Sequence, residues 1–367
     1  MSNANDISVI QIALFGDSGS GKTTFLSSYY GNMQRNDFER KKGYRLKAEQ
    51  SIDASLLTRY YEMEGGSFPL GTESFTEYTF ELMITGLSRS GLKINWFDYP
   101  GGWWRSEPQD NDEKLVRLSA LKKLLTSNVA VFLIDGAKYL SNGDKYLRLQ
   151  LDIFKNAIKK IKESQAENGT PIDGLLPKKW IIAVSKADLF PEGTTAKALA
   201  ESMLDGARDQ FEGVSNAISA QNSDFGKQFL LLSSVKGSSN SKVADAHQFM
   251  GLQLIAPLAL MSTLRELKEI ADKPNKYGFF ENILKGISKA IDWIDSIDDV
   301  LPPKYQMVTK ILKAIDAKSM VDKKAGDFRQ QQEDAVKAGK VLEATVAAML
   351  AELASESATI QFCFIQD

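Results

Sequence analysis

The chain has 367 residues, 43 % hydrophobic and 25 % charged, with 45 basic against 47 acidic side chains, proportions that suit a core in one large or two smaller domains. A net charge of −2 argues against a nucleic-acid binder or a polybasic membrane anchor. One cysteine, Cys363, excludes an intramolecular disulfide, and one histidine, His247, argues against a histidine-rich metal site or a Ser-His-Asp triad.

No run approaches about 18 uninterrupted apolar residues, and the opening MSNANDISVIQIALF lacks the basic start and cleavage site of a secretion signal, so a cytoplasmic location is expected. In chain order, ISVIQIALF (7–15) is a predicted strand, then a Gly-rich turn, then KTTFLSSYYGNM at helical spacing. A polar stretch over about 35–75 contains YRLKAEQ and the helix-like SIDASLLTRYYEME before GGSFPLGTES. EYTFELMIT (77–85) and LKINWFDY (92–99) are predicted to pair antiparallel through GLSRSG. DEKLVRLSALKKLLT is amphipathic, NVAVFLID (128–135) is a buried strand, and KYLRLQLDIFKNAIKKIKESQ has a helical period. KKWIIAVSKAD is a strand entering a turn, TTAKALAESMLDGARDQF is helical, KQFLLLSSVKG is the last strand of the series, and a helix is expected over about 245–271. This alternation predicts an α/β sandwich of three layers, its sheet mostly parallel with one antiparallel strand. After ADKPNK (271–276) the chain reads as helices, with only TIQFCFI as a candidate strand. The expected division is a domain over 1–270 with an insertion around 35–71, followed by a helical region over 271–367.

GDSGSGKT (16–23) matches G-x-x-x-x-G-K-S/T between a predicted strand and a predicted helix, the context that marks a phosphate-binding P-loop. Its backbone N–H groups form an anion nest at a helix N-terminus. Lys22 reaches the β- and γ-phosphates and Thr23 offers a hydroxyl to Mg²⁺, which makes Gly16, Asp17, Ser18, Gly19, Ser20, Gly21, Lys22, Thr23 and Thr24 the phosphate-side candidates. In DYPGGWW (98–104), Asp98 ends a strand and is the metal-side carboxylate, while Gly101 offers its N–H to the γ-phosphate. SKAD (185–188) follows the strand WIIAV. Its aspartate, Asp188, can accept from guanine N1–H and the 2-amino group while the stem of Lys186 lies over the base; adenine lacks both donors there. Ser185 stands where Asn or Thr is usual, and the Ser234–Val235 segment of LLLSSVKG is placed to meet guanine O6. An ATP-using phosphotransferase is the competing reading, against which SKAD argues.

Together these stretches resemble the P-loop GTPases of the Ras-like, translation-factor-related class over about residues 7–265, and the DYPG-plus-tryptophan form resembles bacterial YcjX-like GTPases. The resemblance implies a P-loop NTPase fold, GTP/GDP with Mg²⁺ as cofactors, and a switch I threonine that senses metal and γ-phosphate. Thr72 and Thr76 both precede the 77–85 strand; Thr72 is favoured by its mobile Gly/Pro context. Lys22, Thr72, Gly101 and Arg105 are then the catalytic candidates and Thr23, Asp98 and Thr72 the metal ligands. Ras-like members carry a water-orienting glutamine after DxxG. Here Gly102, Trp103 and Trp104 follow, so hydrolysis is expected to be slow or to need a partner, with Arg105 the candidate internal arginine finger. Trp103 and Trp104 are read either as packing or as a nucleotide-dependent contact surface, and Glu107, Asp110 and Asp112 as a solvated loop.

From Phe279, Phe280, Ile283, Ile287, Ile291, Ile294 and Leu301 recur at helical spacing, but the polar face turns acidic at Asp292, Asp295, Asp298 and Asp299. Packing in a helical subdomain is therefore favoured over membrane adsorption. The resulting expectation is a GTP-binding switch that couples nucleotide state to a protein effector or activator, or else an interaction protein with bound nucleotide and no turnover.

Overall fold

Apolar side chains on both faces of the central strands dictate the architecture. In β5 (Val129–Asp135) every residue is buried. Val129, Val131 and Leu133 enter one core, and Ala130, Phe132 and Ile134 the other. A strand buried on both sides needs a covering layer on each. The computed structural model describes residues 8–69, 71–72, 74–85, 92–167, 177, 179–218, 224–238, 241–245, 247–255, 257–259, 349, 352–353 and 360–365. Before β5 come β1 (Ser8–Gly16), α1 (Lys22–Met33), α2 (Asn36–Lys42), β2 (Tyr44–Ala48), α3 (Gln50–Glu64), β3 (Thr76–Ile84), β4 (Leu92–Asp98) and α4 (Asn111–Leu125). After it come α5 (Gly136–Glu167), β6 (Lys179–Ser185), α6 (Ala196–Gly206), α7 (Arg208–Ile218), β7 (Gln228–Leu231), β8 (Lys236–Ser238), β9 (Ser241–Asp245) and β10 (Phe362–Phe364).

Eight strands form one sheet in the order β10-β7-β6-β5-β1-β4-β3-β2. The five from β7 to β4 are mutually parallel, β3 pairs antiparallel with both neighbours, and β10 pairs antiparallel with β7. Side chains of α1 and α3 join the first core, and those of α4, α5, α6 and α7 the second. Trp96 and Trp180, both fully buried, anchor one core each. This is the three-layer α/β arrangement expected, with the C-terminal ends of β1, β4, β5, β6 and β7 at one edge, where such folds place their sites.

Two details differ from the sequence reading, and a third bears it out. The insertion holds an edge strand as well as helices: Tyr44 and Leu46 of YRLKA are buried against β3, a period-2 signal inside an otherwise polar stretch. Past β7 the chain makes the hairpin β8–β9 and a short turn of 3₁₀ helix at Leu252–Leu254 before any helix begins. TIQFCFI does contain a strand, which returns to the nucleotide-side domain as a sheet edge. Met349 and Leu353 join the first core, and Glu352 pairs with Lys42 at the end of α2. The helices expected from 279 to 301 lie outside the described residues, and among the described residues no helix is long and apolar enough to cross a membrane.

Candidate functional site: a triphosphate and base cleft

The turn between β1 and α1 needs glycine at two positions. Gly19 (φ 77°) and Gly21 (φ 93°) adopt left-handed conformations that an L side chain disfavours, and Gly21 caps the N-terminus of α1. Lys22 Nζ folds back across the turn to Gly16 O (2.9 Å) and Asp17 O (3.1 Å). Burial lowers the pKa of Lys22, opposed by the charges of Asp98 and Asp17. Beneath the loop, the fully buried Tyr99 hydroxyl accepts from Gly16 N (3.0 Å), and its ring lies 5.1 Å from the ammonium. Tyr99, the second residue of DYPGG, is thus a prop for the phosphate loop.

Three elements meet at one carboxylate oxygen. Asp98 Oδ2 accepts from Thr23 Oγ1 (3.0 Å) and Thr72 Oγ1 (2.9 Å), and the two hydroxyls are 2.6 Å apart. Asp98 is completely buried and its Oδ1 has no partner among the described atoms. An orphaned buried carboxylate oxygen beside two hydroxyls is a hard, oxygen-only donor set. It fits Mg²⁺, which keeps most of its waters and takes only one or two carboxylates along with substrate phosphates. Of the two threonines left open by the sequence, Thr72 makes this contact; Thr76 lies in β3, paired through the backbone with Asp98.

The base side is built from β5, β6 and the end of β7. Lys186 takes a left-handed conformation (φ 55°), rare for a residue with a side chain and frequent at functional sites. Its Nζ bridges Asp135 Oδ2 (2.8 Å) and Gly19 O (3.2 Å), joining the SKAD turn to the phosphate loop. Ser233 Oγ lies 2.6 Å from both Asp188 Oδ1 and Val235 O, so its one proton is shared between the SKAD turn and the last loop. Ser185 Oγ donates to Ile134 O (3.2 Å), which ties β6 to β5. Ser28 Oγ donates to Ser234 O, fixing the last loop against α1. These residues surround a cleft of about 580 Å³, lined at one end by Ser18, Gly19, Gly21, Lys22, Thr23, Thr24, Thr72 and Gly101, and at the other by Ser185, Lys186, Asp188, Ser233, Ser234 and Val235.

The Double-GTPase 2 family model matches residues 10–235, which include every segment lining this cleft. The chain belongs to the Double-GTPase 2 family. It is therefore a P-loop GTPase that binds guanine nucleotide. The comparison with curated proteins found no match. Among solved structures, it is similar to the signal recognition particle receptor complex of Chaetomium thermophilum (18 % identity, 56 % of this chain and 81 % of that chain, TM-score 0.32). It is similar also to a nucleolar GTP-binding protein 1 from Plasmodium falciparum (14 % identity, 74 % of this chain and 94 % of that chain, TM-score 0.33). A bacterial selenocysteine-specific elongation factor matches at 12 % identity over 62 % of this chain, TM-score 0.26, and the chain spans only 26 % of that protein's length.

Around the cleft of this Double-GTPase 2 protein, several sequence candidates take positions behind the phosphate loop. Asp17 points away from the cleft, where its Oδ2 meets both Arg105 Nη2 (2.9 Å) and Lys138 Nζ (3.0 Å). Arg105 therefore braces the phosphate loop from outside and is not among the cleft's lining residues. Ser20 is buried with Gly16 under the loop. Lys138, Asp135, Tyr99, Ser28 and Ser233 are contributors that motif spacing did not single out. Only two left a signal: Asp135 ends a buried strand as Asp98 does, and Ser233 is one place before the serine chosen.

The tryptophan question divides. Gly101–Trp104 form a turn of 3₁₀ helix. Trp103 is half-buried against the second core, with the Arg117 guanidinium 5.5 Å from its ring. The side chain of Trp104 lies outside the described residues. Asp110 caps α4, accepting from Glu113 N at 2.7 Å, and Glu107 pairs with Lys160 on the surface. At Gly102, a Cβ would meet nothing within 4 Å. At Gly101 the opposite holds: a Cβ would sit 2.5 Å from Asp17 C and 2.8 Å from Asp17 O, inside rigid backbone. Gly101→Ala is expected to oppose this close approach by about 1–3 kcal/mol. Single-turnover GTP cleavage should slow roughly tenfold or more, with GDP affinity less affected; an unchanged cleavage rate would remove the need for contact between the two loops.

Proposed function

We propose that this protein is a Mg²⁺-dependent GTP switch with slow intrinsic hydrolysis, whose nucleotide state reaches a protein effector or activator through the switch loops and the C-terminal region. The observation that carries it is the meeting of Thr72, Thr23 and Asp98 on a single oxygen. The loop after the insertion, the P-loop helix and the DYPGG turn each contribute one group, so a change at the phosphates is felt by all three.

In this reading the nest of N–H groups in 16–24 and the Lys22 ammonium hold the phosphates. Thr23, Thr72 and Asp98 would hold Mg²⁺, which when bound neutralises charge on the β- and γ-oxygens. Gly101 presents its N–H at the γ-phosphate, and Asp188, steadied by Ser233, accepts from the guanine edge while Lys186 borders the base. Slow chemistry is supported by Gly102, which has no group to orient water, and by the engagement of Arg105 with Asp17. Gly102 also favours a second reading, a nucleotide-bound interaction protein that never turns over. A cytoplasmic site of action remains part of the proposal.

Single-turnover GTP cleavage by the purified chain, with and without cell extract, separates the two. The switch predicts slow cleavage that extract accelerates. No cleavage in either condition would establish the second reading in its place.

A further inference from the structure

The end of the chain comes back to the base-reading loop. β10 lies antiparallel on β7, with Phe362 opposite Leu230 and Phe364 opposite Gln228, and Ile365 N continues the ladder to Lys227 O (2.7 Å). Directly before β10, the half-buried Gln361 turns its Oε1 toward Gly251 N (3.1 Å) and Gln253 Nε2 (3.2 Å), accepting from both. Gly251 has φ 73°, and a Cβ there would overlap the carbonyl of Leu231, so this turn presses onto the end of β7. Its neighbour Met250 exchanges two backbone hydrogen bonds with Ser233, N to O at 3.0 and 2.9 Å. Ser233 in turn holds Asp188.

We infer that Gln361 is a positioning residue for guanine recognition, holding the Met250–Gly251 turn so that Ser233 keeps Asp188 aimed at the base. The inference rests on the reading of Asp188 as the guanine-selecting carboxylate. Three features support it. Oε1 of Gln361 is the acceptor for both donors, so one atom ties two points of the turn to the C-terminal segment. The paired bonds between Met250 and Ser233 leave Ser233 little freedom to move independently. The segment carrying Gln361 is 110 residues distant in sequence from Gly251, so this contact is a means for the C-terminal region to bias nucleotide affinity. Coupling of this kind is spread over many contacts and has to be demonstrated by its effect on the distant site.

The test measures release of fluorescent GDP and of fluorescent IDP, whose base lacks the 2-amino group, from the full chain. Wild type is compared with Gln361→Met, which removes the acceptor at similar volume, and Gln361→Glu, which restores an acceptor. Wild type should hold GDP more tightly than IDP. Gln361→Met should lower that preference about threefold, mainly by faster GDP release, and Gln361→Glu should return it. Melting curves run in parallel report whether the sheet edge is intact. A folded Gln361→Met with undiminished preference overturns the inference, as does Gln361→Glu behaving like Gln361→Met. If Gln361→Met does not fold, Gln361→Asn, whose shorter side chain withdraws the acceptor from Gly251 N, decides by the same ratio. A wild type that does not distinguish GDP from IDP defeats the base assignment itself, and this inference with it.

Discussion

Replacing Asp188 by Asn should convert a guanine-selective site into one that prefers xanthine. The carboxylate accepts from two donors on the guanine edge, and each charge-assisted bond contributes about 1.5–3 kcal/mol. An amide keeps one acceptor oxygen, enough to retain the Ser233 hydroxyl now 2.6 Å from Oδ1, but it presents N–H donors where guanine also has donors. GTP affinity is therefore expected to fall by about 10²-fold or more, while XTP, which offers an acceptor in place of the 2-amino group, gains. Competition of ATP, GTP and XTP against a fluorescent GTP analogue, for wild type and Asp188→Asn, reads this directly. ATP competing as well as GTP in the wild type would defeat the base assignment.

Asp98→Asn should separate function from stability. In the folded chain, Asp98 is wholly buried and one of its oxygens has no partner. A charge held this way is costly unless something compensates it; the Lys22 ammonium does so in part, and in the proposed reading Mg²⁺ does the rest. The amide keeps the shape and the contact with the two threonine hydroxyls but removes a charge that offsets the buried Lys22 ammonium, so without nucleotide the variant should melt modestly below wild type, a change small beside the loss of activity. With nucleotide the two should diverge. The variant loses the carboxylate beside Thr23 and Thr72, and single-turnover GTP cleavage should fall roughly 10²- to 10³-fold, the loss of several kcal/mol of transition-state stabilisation. Chelating Mg²⁺ with EDTA should speed nucleotide release from wild type and leave the variant unchanged. Magnesium-dependent retention that survives in Asp98→Asn would show that the metal is held elsewhere.

Both predictions start from motifs that local spacing made readable. A strand, a glycine-rich turn and a helix in succession can hardly be anything but an anion nest, because the N–H groups and the helix terminus are produced by contiguous residues. The same holds for DYPGG and SKAD, each at the end of an apolar run whose burial sends the turn to the sheet's C-terminal edge. The edge strand β2 was harder to see, since its YRLKA alternation is short and includes two exposed or half-exposed cations.

Other features depend on distances no spacing encodes. The Gly/Pro context favours Thr72 over Thr76 in sequence, but only the path of the loop before β3 brings its hydroxyl to Asp98. Arg105 follows DYPGGWW closely enough in sequence to be a finger candidate, and in the fold its guanidinium pairs with the carboxylate of Asp17 behind the phosphate loop. Tyr99 props the loop only because the parallel pairing of β1 with β4 places it under Gly16.

Local chemistry was thus enough to read an α/β P-loop GTPase and to nominate a metal-side aspartate and a base-side turn, since each is made by neighbours along the chain. Packing was needed to bring Thr72 to Asp98, to set Ser233 behind Asp188, and to return Gln361 to the sheet beside them. Those pairings join segments from 26 to 110 residues apart, and burial and sheet register, not sequence pattern, bring such segments together.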